Sequence, residues 1–173
     1  MYSQIVASES AVTNMDKLTH IDKEGNAIMV DVSNKEITHR VAIATGVIYM
    51  SKEAFDTVIE HKNKKGDVLT VAQVAGIMGA KKTNELVPLC HPLIIDKLNV
   101  TFEQIKEGYK LGFKATSEVS ATDKTGVEME AITAVEIALL TIYDMCKAVD
   151  KRMVISDIHL CKKSGGKSGD FEF

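Results

Sequence analysis

Several residue types are scarce in this chain. Its 173 residues include no tryptophan, only two prolines and 5% aromatic residues. So little proline excludes collagen-like and proline-rich proteins. The three cysteines, Cys90, Cys146 and Cys161, are odd in number and widely separated. They argue against a disulfide framework and favour a reducing compartment, so we expect a cytoplasmic protein.

Long hydrophobic runs and an excess of positive charge are missing as well. The longest segment without a charged residue, 68–80, is thirteen residues long, fewer than the ~18 that a membrane-spanning helix needs. The first lysine is Lys17, so we expect no secretory signal peptide, which requires a basic start. The formal net charge of −3 does not favour nucleic acid or an acidic membrane as a partner.

The composition is that of a folded globular protein. Hydrophobic residues make up 45% of the chain and charged residues 26%, which excludes a fully disordered chain. Residues 1–16 have no clear period, and we expect them to form a disordered tail. Residues 17–173 contain no internal repeat or linker, so we expect a single domain there.

Alternating apolar residues over 41–49, 98–102, 109–115 and 154–160 predict four strands. Glu107 and Gly108 are expected to form the hairpin turn between the second and third strands. The first strand should carry one face made of Val41, Ile43, Thr45, Val47 and Tyr49.

Helical spacing predicts three helices. Ser51 is the expected N-cap of a short helix that ends before Asn63. Asp67 is the expected N-cap of a second helix, whose periodic apolar residues are Val68, Val71, Ala75 and Met78. Residues 83–93 read as irregular. A long helix over about 126–149 has one apolar side, made of Val127, Ala131, Ala134, Ala138, Ile142 and Met145.

The order of these elements predicts an α+β domain. It matches the plan βαββαβ, an antiparallel sheet with helices on one face, and one helix is extra. The uncovered sheet face and the apolar helix sides suggest that subunits pack against each other.

A rigid tripeptide stands out in the irregular region. Pro88 and Pro92 bracket Leu89, Cys90 and His91. Pro92 restricts His91 to extended geometry and Pro88 fixes its own φ, so we expect the tripeptide to be presented rigidly. His91 is either a buried, hydrogen-bonded histidine or a side chain presented to a ligand. No paired Cys or His residues occur at the short spacings of zinc sites, so we expect no metal.

Carboxylates occur at both ends of the long helix. Glu128 and Glu130 open it, and the helix dipole alone accounts for negative charge there. Asp144 lies near the carboxyl end, where the dipole disfavours a negative charge, and Lys147 follows three residues later. The two side chains form either a solvated ion pair or an acid–base couple.

Positive charge is concentrated in the predicted connecting segments. The lysines there are Lys62, Lys64, Lys65, Lys81, Lys82, Lys162, Lys163 and Lys167. They are either solvated loops or, if they converge, a site for a polyanion such as a triphosphate. The last three lie in a Gly/Ser/Lys tail that is either flexible or anion-binding. A Walker P-loop is excluded, because Cys161 stands where its first glycine would be.

Six segments resemble one family when taken together and in order. They are MVDVS at 29–33, KKGD at 64–67, PLCHPL at 88–93, KTGVEMEA at 124–131, TIYDMCKA at 141–148 and KSGGKSGDF at 163–171. They resemble the cyclic pyranopterin monophosphate synthases, also called molybdenum cofactor biosynthesis accessory protein C. The resemblance covers nearly everything from Leu18 to Phe173 and leaves residues 1–16 outside.

The resemblance implies a ferredoxin-like domain assembled as a homohexamer, a trimer of dimers with active sites between subunits. It implies a lyase that converts 3′,8-cyclo-7,8-dihydro-GTP to cyclic pyranopterin monophosphate and releases pyrophosphate, in molybdenum cofactor biosynthesis. That rearrangement requires no cofactor and no metal. It needs proton transfers, ring hydrolysis and reclosure, and cyclisation of a phosphate, which suit lysine, histidine and carboxylate side chains.

The resemblance also assigns site residues. Asp144, Lys147 and Lys65 take the catalytic positions, and we expect the first two to carry the central acid–base steps. We expect Lys65 to assist proton transfer or to meet phosphate charge. The substrate-binding positions are Leu89, Cys90, His91, Glu128, Met129 and Glu130. Among these, His91 and the two glutamates are expected to hold the purine-derived ring.

The alternative is a nucleotide- or phosphate-binding oligomer that performs no chemistry. Basic loops and a βαββαβ fold serve such a protein equally well, because a fold does not fix a function. Asp144 discriminates between the two hypotheses, since a triphosphate binder gains nothing from a carboxylate among its lysines.

Overall fold

The computed structural model describes residues 20–22, 24–167 and 169–173, so the expected disordered tail at 1–16 lies outside the described residues. Within that part, five strands and four helices follow one another along the chain. They are β1 (Thr38–Met50), α1 (Lys52–Ile59), α2 (Val68–Ala80), α3 (Thr83–Leu86), β2 (Lys97–Glu107), β3 (Lys110–Asp123), α4 (Glu128–Cys146), β4 (Val154–Ser164) and β5 (Phe171–Glu172).

The strands form one antiparallel sheet in the order β2-β3-β1-β4-β5. The first four strands have the order expected for the plan βαββαβ, which confirms the predicted α+β, ferredoxin-like class. α2 is joined by the additional helix α1 and by the short α3, which occupies part of the region predicted to be irregular. The hairpin turn falls at Gly108 and Tyr109, one residue later than predicted.

β1 lies between β3 and β4 and has apolar residues on both faces. Ala42, Ala44 and Ile48 are fully buried in the core with residues of α4. By strand alternation, the predicted apolar set lies on the opposite face, where Val47 and Tyr49 are half-buried.

The predicted apolar face of α2 is wrong. Val68 is buried, but Val71 and Met78 face outward with 43% and 48% of their surface exposed. The residues that pack against α4 are small. A Cβ atom at Gly76 would lie 2.7 Å from the main-chain oxygen of Ala134. The two helices therefore approach closely through their backbones, which a search for large apolar residues does not detect.

α4 confirms its predicted buried side. All six residues predicted to line that side are buried, Val127 at its N-cap and the other five within the helix, which is shorter than predicted at Glu128–Cys146. β4 is longer than predicted and continues through Lys162 and Lys163 to Ser164. The flexible alternative for the Gly/Ser/Lys tail therefore does not hold for Lys162, Lys163 and Ser164, because these residues pair with β1.

Candidate active site

The structure brings together the three residues expected to be catalytic. Asp144 Oδ1 lies 2.6 Å from Lys147 Nζ, and Asp144 Oδ2 lies 3.1 Å from Lys65 Nζ. We call this group the lysine–aspartate cluster. About half of each side chain is exposed, so the cluster is accessible to a ligand.

Two elements position the lysine–aspartate cluster. Asp144 lies in the last turn of α4, and Lys147 is its C-cap residue. Lys65 lies in the loop between α1 and α2, where Gly66 adopts a φ of +102°. Lys65 Nζ also donates a hydrogen bond of 2.9 Å to the main-chain oxygen of Asp144. The two ammonium groups thus offset both the carboxylate and the partial negative charge at the helix end.

Proton affinities in the lysine–aspartate cluster follow from these contacts. The hydrogen bond from Lys147, and then that from Lys65, lower the pKa of the Asp144 carboxyl. Asp144 in turn raises the pKa of Lys147. Both shifts favour the charged forms, so at neutral pH Asp144 is a carboxylate and Lys147 an ammonium group. They can act as base and acid only when a substrate displaces the ion pair that produces these shifts.

A separate cavity of about 360 Å³ opens at the amino end of α4. Its walls include all six residues expected to bind substrate, which are Leu89, Cys90, His91, Glu128, Met129 and Glu130. The tripeptide held between the two prolines therefore faces the carboxylates that open the helix. Its volume is at the lower end of the range typical of small-molecule sites.

Glu130 is the most strongly perturbed acid of this cavity. Only 4% of its surface is exposed, and burial raises its pKa to about 7. Burial, followed by the nearby Glu130, raises the pKa of the Cys90 thiol. Glu128 is less buried, and its Oε1 atom lies 3.1 Å from Lys163 Nζ on β4. The cavity thus contains one buried carboxyl of raised pKa, Glu130, and one carboxylate paired with a lysine, Glu128.

Several cavity residues escaped the sequence analysis. Lys35 lines this cavity and also an adjoining one of about 880 Å³, which contains Arg40 together with Lys167, a lysine that the sequence analysis did single out. Arg40 is only 9% exposed, and its guanidinium donates to the main-chain oxygens of Asp123 and Lys124. A charged residue on the inward face of a strand is a detectable signal, because such positions are normally apolar.

The two groups of site residues do not meet within one chain. Glu128 and Asp144 lie sixteen residues apart on α4, a distance of about 24 Å at 1.5 Å per residue. The basic segments are divided in the same way, with Lys65 at the carboxyl end of α4 and Lys163 at its amino end. These two basic segments therefore do not converge within one chain.

Known proteins match this chain over most of its length. The MoaC family matches residues 29–166. A protein of Clostridium perfringens (strain SM101 / Type A) named cyclic pyranopterin monophosphate synthase is 58% identical over 158 residues, covering 91% of this chain and 99% of its own. This chain belongs to the MoaC family.

Two other organisms have MoaC relatives of similar identity to this chain. Proteins with the same printed name from Thermoanaerobacter sp. (strain X514) and Helicobacter hepaticus are each 56% identical to this chain. They cover 90% of it, and it covers 97% and 96% of their lengths. Every expected site residue falls within the matched residues 29–166, so the family relationship includes both the lysine–aspartate cluster and the cavity.

Two further observations concern this MoaC chain. Within residues 20–22, 24–167 and 169–173, no cluster of three or more His, Cys, Asp or Glu side chains is arranged to hold a metal ion. In the same described part, no helix is long and apolar enough to cross a membrane.

Proposed function

We propose that this protein is a cyclic pyranopterin monophosphate synthase, a lyase of molybdenum cofactor biosynthesis. It converts 3′,8-cyclo-7,8-dihydro-GTP to cyclic pyranopterin monophosphate and releases pyrophosphate. The observation that carries the proposal is the lysine–aspartate cluster, in which Lys65 meets Asp144 across 79 residues of sequence. Relatives at 56–58% identity with that printed name support the same activity.

The lysine–aspartate cluster supplies the acid–base chemistry of the rearrangement. Asp144 and Lys147 carry the central proton transfers, because they form a contact of 2.6 Å between a carboxylate and an ammonium group. Lys65 assists transfer or stabilises negative charge that develops on a phosphate or a ring oxygen.

The cavity holds the purine-derived part of the substrate. His91 and Glu128 offer polar contacts to ring nitrogens and oxygens, while Leu89 and Met129 offer apolar contact. Glu130, with a pKa of about 7, can present either a hydrogen-bond donor or an acceptor to the ring at neutral pH. Lys35, Arg40 and Lys167 in the adjoining cavity suit the triphosphate.

A complete site requires two subunits. A nucleotide cannot contact both ends of α4 at once, because they lie about 24 Å apart. We therefore propose that one subunit's cluster joins its neighbour's cavity, within the homohexamer, a trimer of dimers, that the family resemblance implies. Exposed apolar side chains support assembly, among them Val71, Val74, Met78 and Leu140 on the outer surfaces of α2 and α4.

Residues 17–173 act as one catalytic domain in the cytoplasm. The three cysteines are free thiols, and Cys90 lies in the proposed substrate cavity. A reducing compartment keeps such a thiol unmodified, whereas an oxidising one would expose it to disulfide exchange.

The other candidate function is binding of a nucleotide or phosphate without chemistry. Against it stands Asp144, whose carboxylate neutralises the two lysines that a pure anion site would leave available. Sensing a triphosphate does not require this arrangement, whereas proton transfer does.

The direct experiment is incubation of the purified protein with the cyclised dihydro-GTP, followed by detection of the pterin product and of pyrophosphate. The proposal predicts stoichiometric formation of both. Asp144→Asn is the matched control, since it retains the size of the side chain and removes the base. Substrate binding without product in the wild-type protein would instead establish the binding function.

A further inference from the structure

Asn63 links the loop of Lys65 to the end of α4. Its Oδ1 atom accepts a hydrogen bond of 2.8 Å from the main-chain N–H of Lys65. Its Nδ2 atom donates one of 3.0 Å to the main-chain oxygen of Met145, the residue after Asp144. Asn63 is half-buried, whereas its neighbours Lys62 and Lys64 are exposed.

The geometry of the loop depends on this one residue. The Oδ1 contact with the N–H two residues later is an Asx-turn, which fixes the direction of the backbone at Lys65. The main-chain N–H of Gly66 also donates to the main-chain oxygen of Asn63 at 3.1 Å. On the other side, Met145 belongs to the last turn of α4, where carbonyl groups lack partners within the helix. Asn63 therefore caps α4 and holds the loop at the same time.

We propose that Asn63 is a positioning residue for Lys65. Its side-chain amide holds the loop against the last turn of α4. Lys65 Nζ can then reach the main-chain oxygen and the Oδ2 atom of Asp144. A lysine side chain loses considerable rotamer freedom when it is held in one place. When the backbone at Lys65 is already fixed, fewer conformations of the residue are lost as its side chain binds Asp144. The inference rests on the proposed catalytic role of Lys65.

Only an amide meets both requirements at position 63. An aspartate could accept from Lys65 N–H, but it could not donate to Met145, and its charge would lie beside Asp144 at the negative end of the helix. A serine could form the analogous turn with Lys65, but its hydroxyl is shorter and would leave the carbonyl of Met145 without its partner.

A double-mutant cycle tests whether Asn63 acts through Lys65. We expect Asn63→Ala to lower kcat/KM by about 10-fold, because small displacements of a catalytic group are costly. In the Lys65→Ala background, the same change should alter kcat/KM by less than about 2-fold. An equal loss in both backgrounds would overturn the proposal, since Asn63 would then act independently of Lys65.

Two further variants distinguish an effect on folding from an effect on turnover. Asn63→Ser should recover part of the loss, because it restores the turn at Lys65, and it carries the test if Asn63→Ala does not fold. Ser51→Ala removes the N-cap of α1, to which Ala54 N–H donates, and touches no site residue. It should lower thermal stability while kcat/KM stays at the wild-type value. A loss of kcat/KM in Ser51→Ala that matches Asn63→Ala would overturn the positioning role.

A readout without substrate distinguishes this inference from the proposed function. The ¹³C signal of the Asp144 carboxyl should titrate at a higher pH in Asn63→Ala and in Lys65→Ala, because both changes remove the contact with Lys65 that lowers its pKa. A shift in Lys65→Ala alone would refute the role of Asn63. Shifts in both variants with unchanged turnover would refute the catalytic role of Lys65 and leave the positioning intact.

Discussion

At the scale of single residues, Asp144→Asn is the most discriminating change. The asparagine has nearly the same shape and relieves the conflict with the helix dipole. The exposed ion pairs that it removes contribute little, so stability should remain close to that of the wild type. Turnover should fall by at least ~10²-fold, which is the lower range for general acid–base groups.

Three measurements on that one variant settle the role of Asp144. They are thermal stability, substrate affinity and single-turnover rate. Affinity should survive, because removing a negative charge beside a triphosphate cannot weaken its attraction. Wild-type turnover in a folded variant that binds substrate would remove Asp144 from the mechanism.

Lys65→Ala tests whether the loop acts through one lysine or through bulk charge. Lys65 contacts Asp144, whereas Lys62 Nζ lies 2.5 Å from Glu60 and away from the lysine–aspartate cluster. We expect Lys65→Ala to lose most turnover, on the order of 10²-fold, and Lys62→Ala to lose little. Steady-state kinetics on the two folded variants provides the comparison, and equal losses would favour a role for bulk charge.

Glu130 makes a prediction about pH and stability. Its folded-state pKa of about 7 lies above the ordinary value of 4.5, so the unfolded chain releases this proton first as pH rises. The folded state therefore loses stability as pH rises from about 4.5 to about 7, on the order of 3 kcal/mol in all. Glu130→Gln should remove this loss.

Thermal unfolding of the wild type and of Glu130→Gln across pH 4–8 provides the measurement for Glu130. The two melting temperatures should agree near pH 4, and the variant should be the more stable at pH 8. Glu128→Gln is the matched control and should show no such widening, since Glu128 is paired with Lys163. If the melting temperatures of wild type and Glu130→Gln differed by the same amount at all pH values, the pKa of Glu130 would not be raised by folding.

At the scale of elements, the contact between α2 and α4 depends on small residues. Gly76→Ala should destabilise the protein by about 1–3 kcal/mol, because its Cβ would meet a main-chain oxygen that cannot move aside. The gain of about 1 kcal/mol in helix propensity offsets only part of this cost. Glu136→Ala, at an exposed position of α4, should stay within about 0.5 kcal/mol of the wild type. Denaturant unfolding checks both variants, and a stabilised Gly76→Ala would refute the close approach.

The contrast between α2 and α4 explains how far the sequence predicts the fold. α4 has one apolar side, so its period identifies the buried face correctly. α2 has apolar residues all round, and two of the large ones, Val71 and Met78, point outward while Gly76 makes the contact. The helical period alone cannot decide which face of such a helix is buried. A contact made through glycine and the main chain produces no stripe of large apolar residues in the sequence.

The sequence predicts the residues of the candidate site but not their arrangement in space. Family motifs identified Lys65, Asp144 and Lys147, and these three prove to be in contact. Nothing in sequence spacing indicates that residues 79 positions apart meet. Asn63 was missed because its role depends on a main-chain carbonyl of another element, which no side-chain motif records.

At the scale of the whole molecule, the lysine–aspartate cluster and the cavity lie at opposite ends of α4. This separation predicts that a complete site forms between subunits. Sedimentation should give a mass near six times 18.9 kDa at micromolar concentration. Asp144→Asn and His91→Ala should each be inactive alone. Subunits of the two variants assembled together should recover about a quarter of wild-type activity, since random pairing joins an intact cluster to an intact cavity in that fraction of sites.

The complementation measurement requires each variant assembled with itself as a control. If cluster and cavity belonged to the same chain, mixed assemblies would remain as inactive as either variant. A monomer in sedimentation would remove the site between subunits altogether.

The length of α4 limits the insertions and deletions that this protein can tolerate. One residue inserted between Glu130 and Asp144 would turn one end of the helix by about 100° relative to the other. It would also move the two ends about 1.5 Å further apart. No side-chain substitution can compensate for such a twist. Insertions and deletions should therefore be confined to places such as the hairpin turn at Tyr109, which is 93% exposed, while α4 accepts replacement of residues but no change in their number.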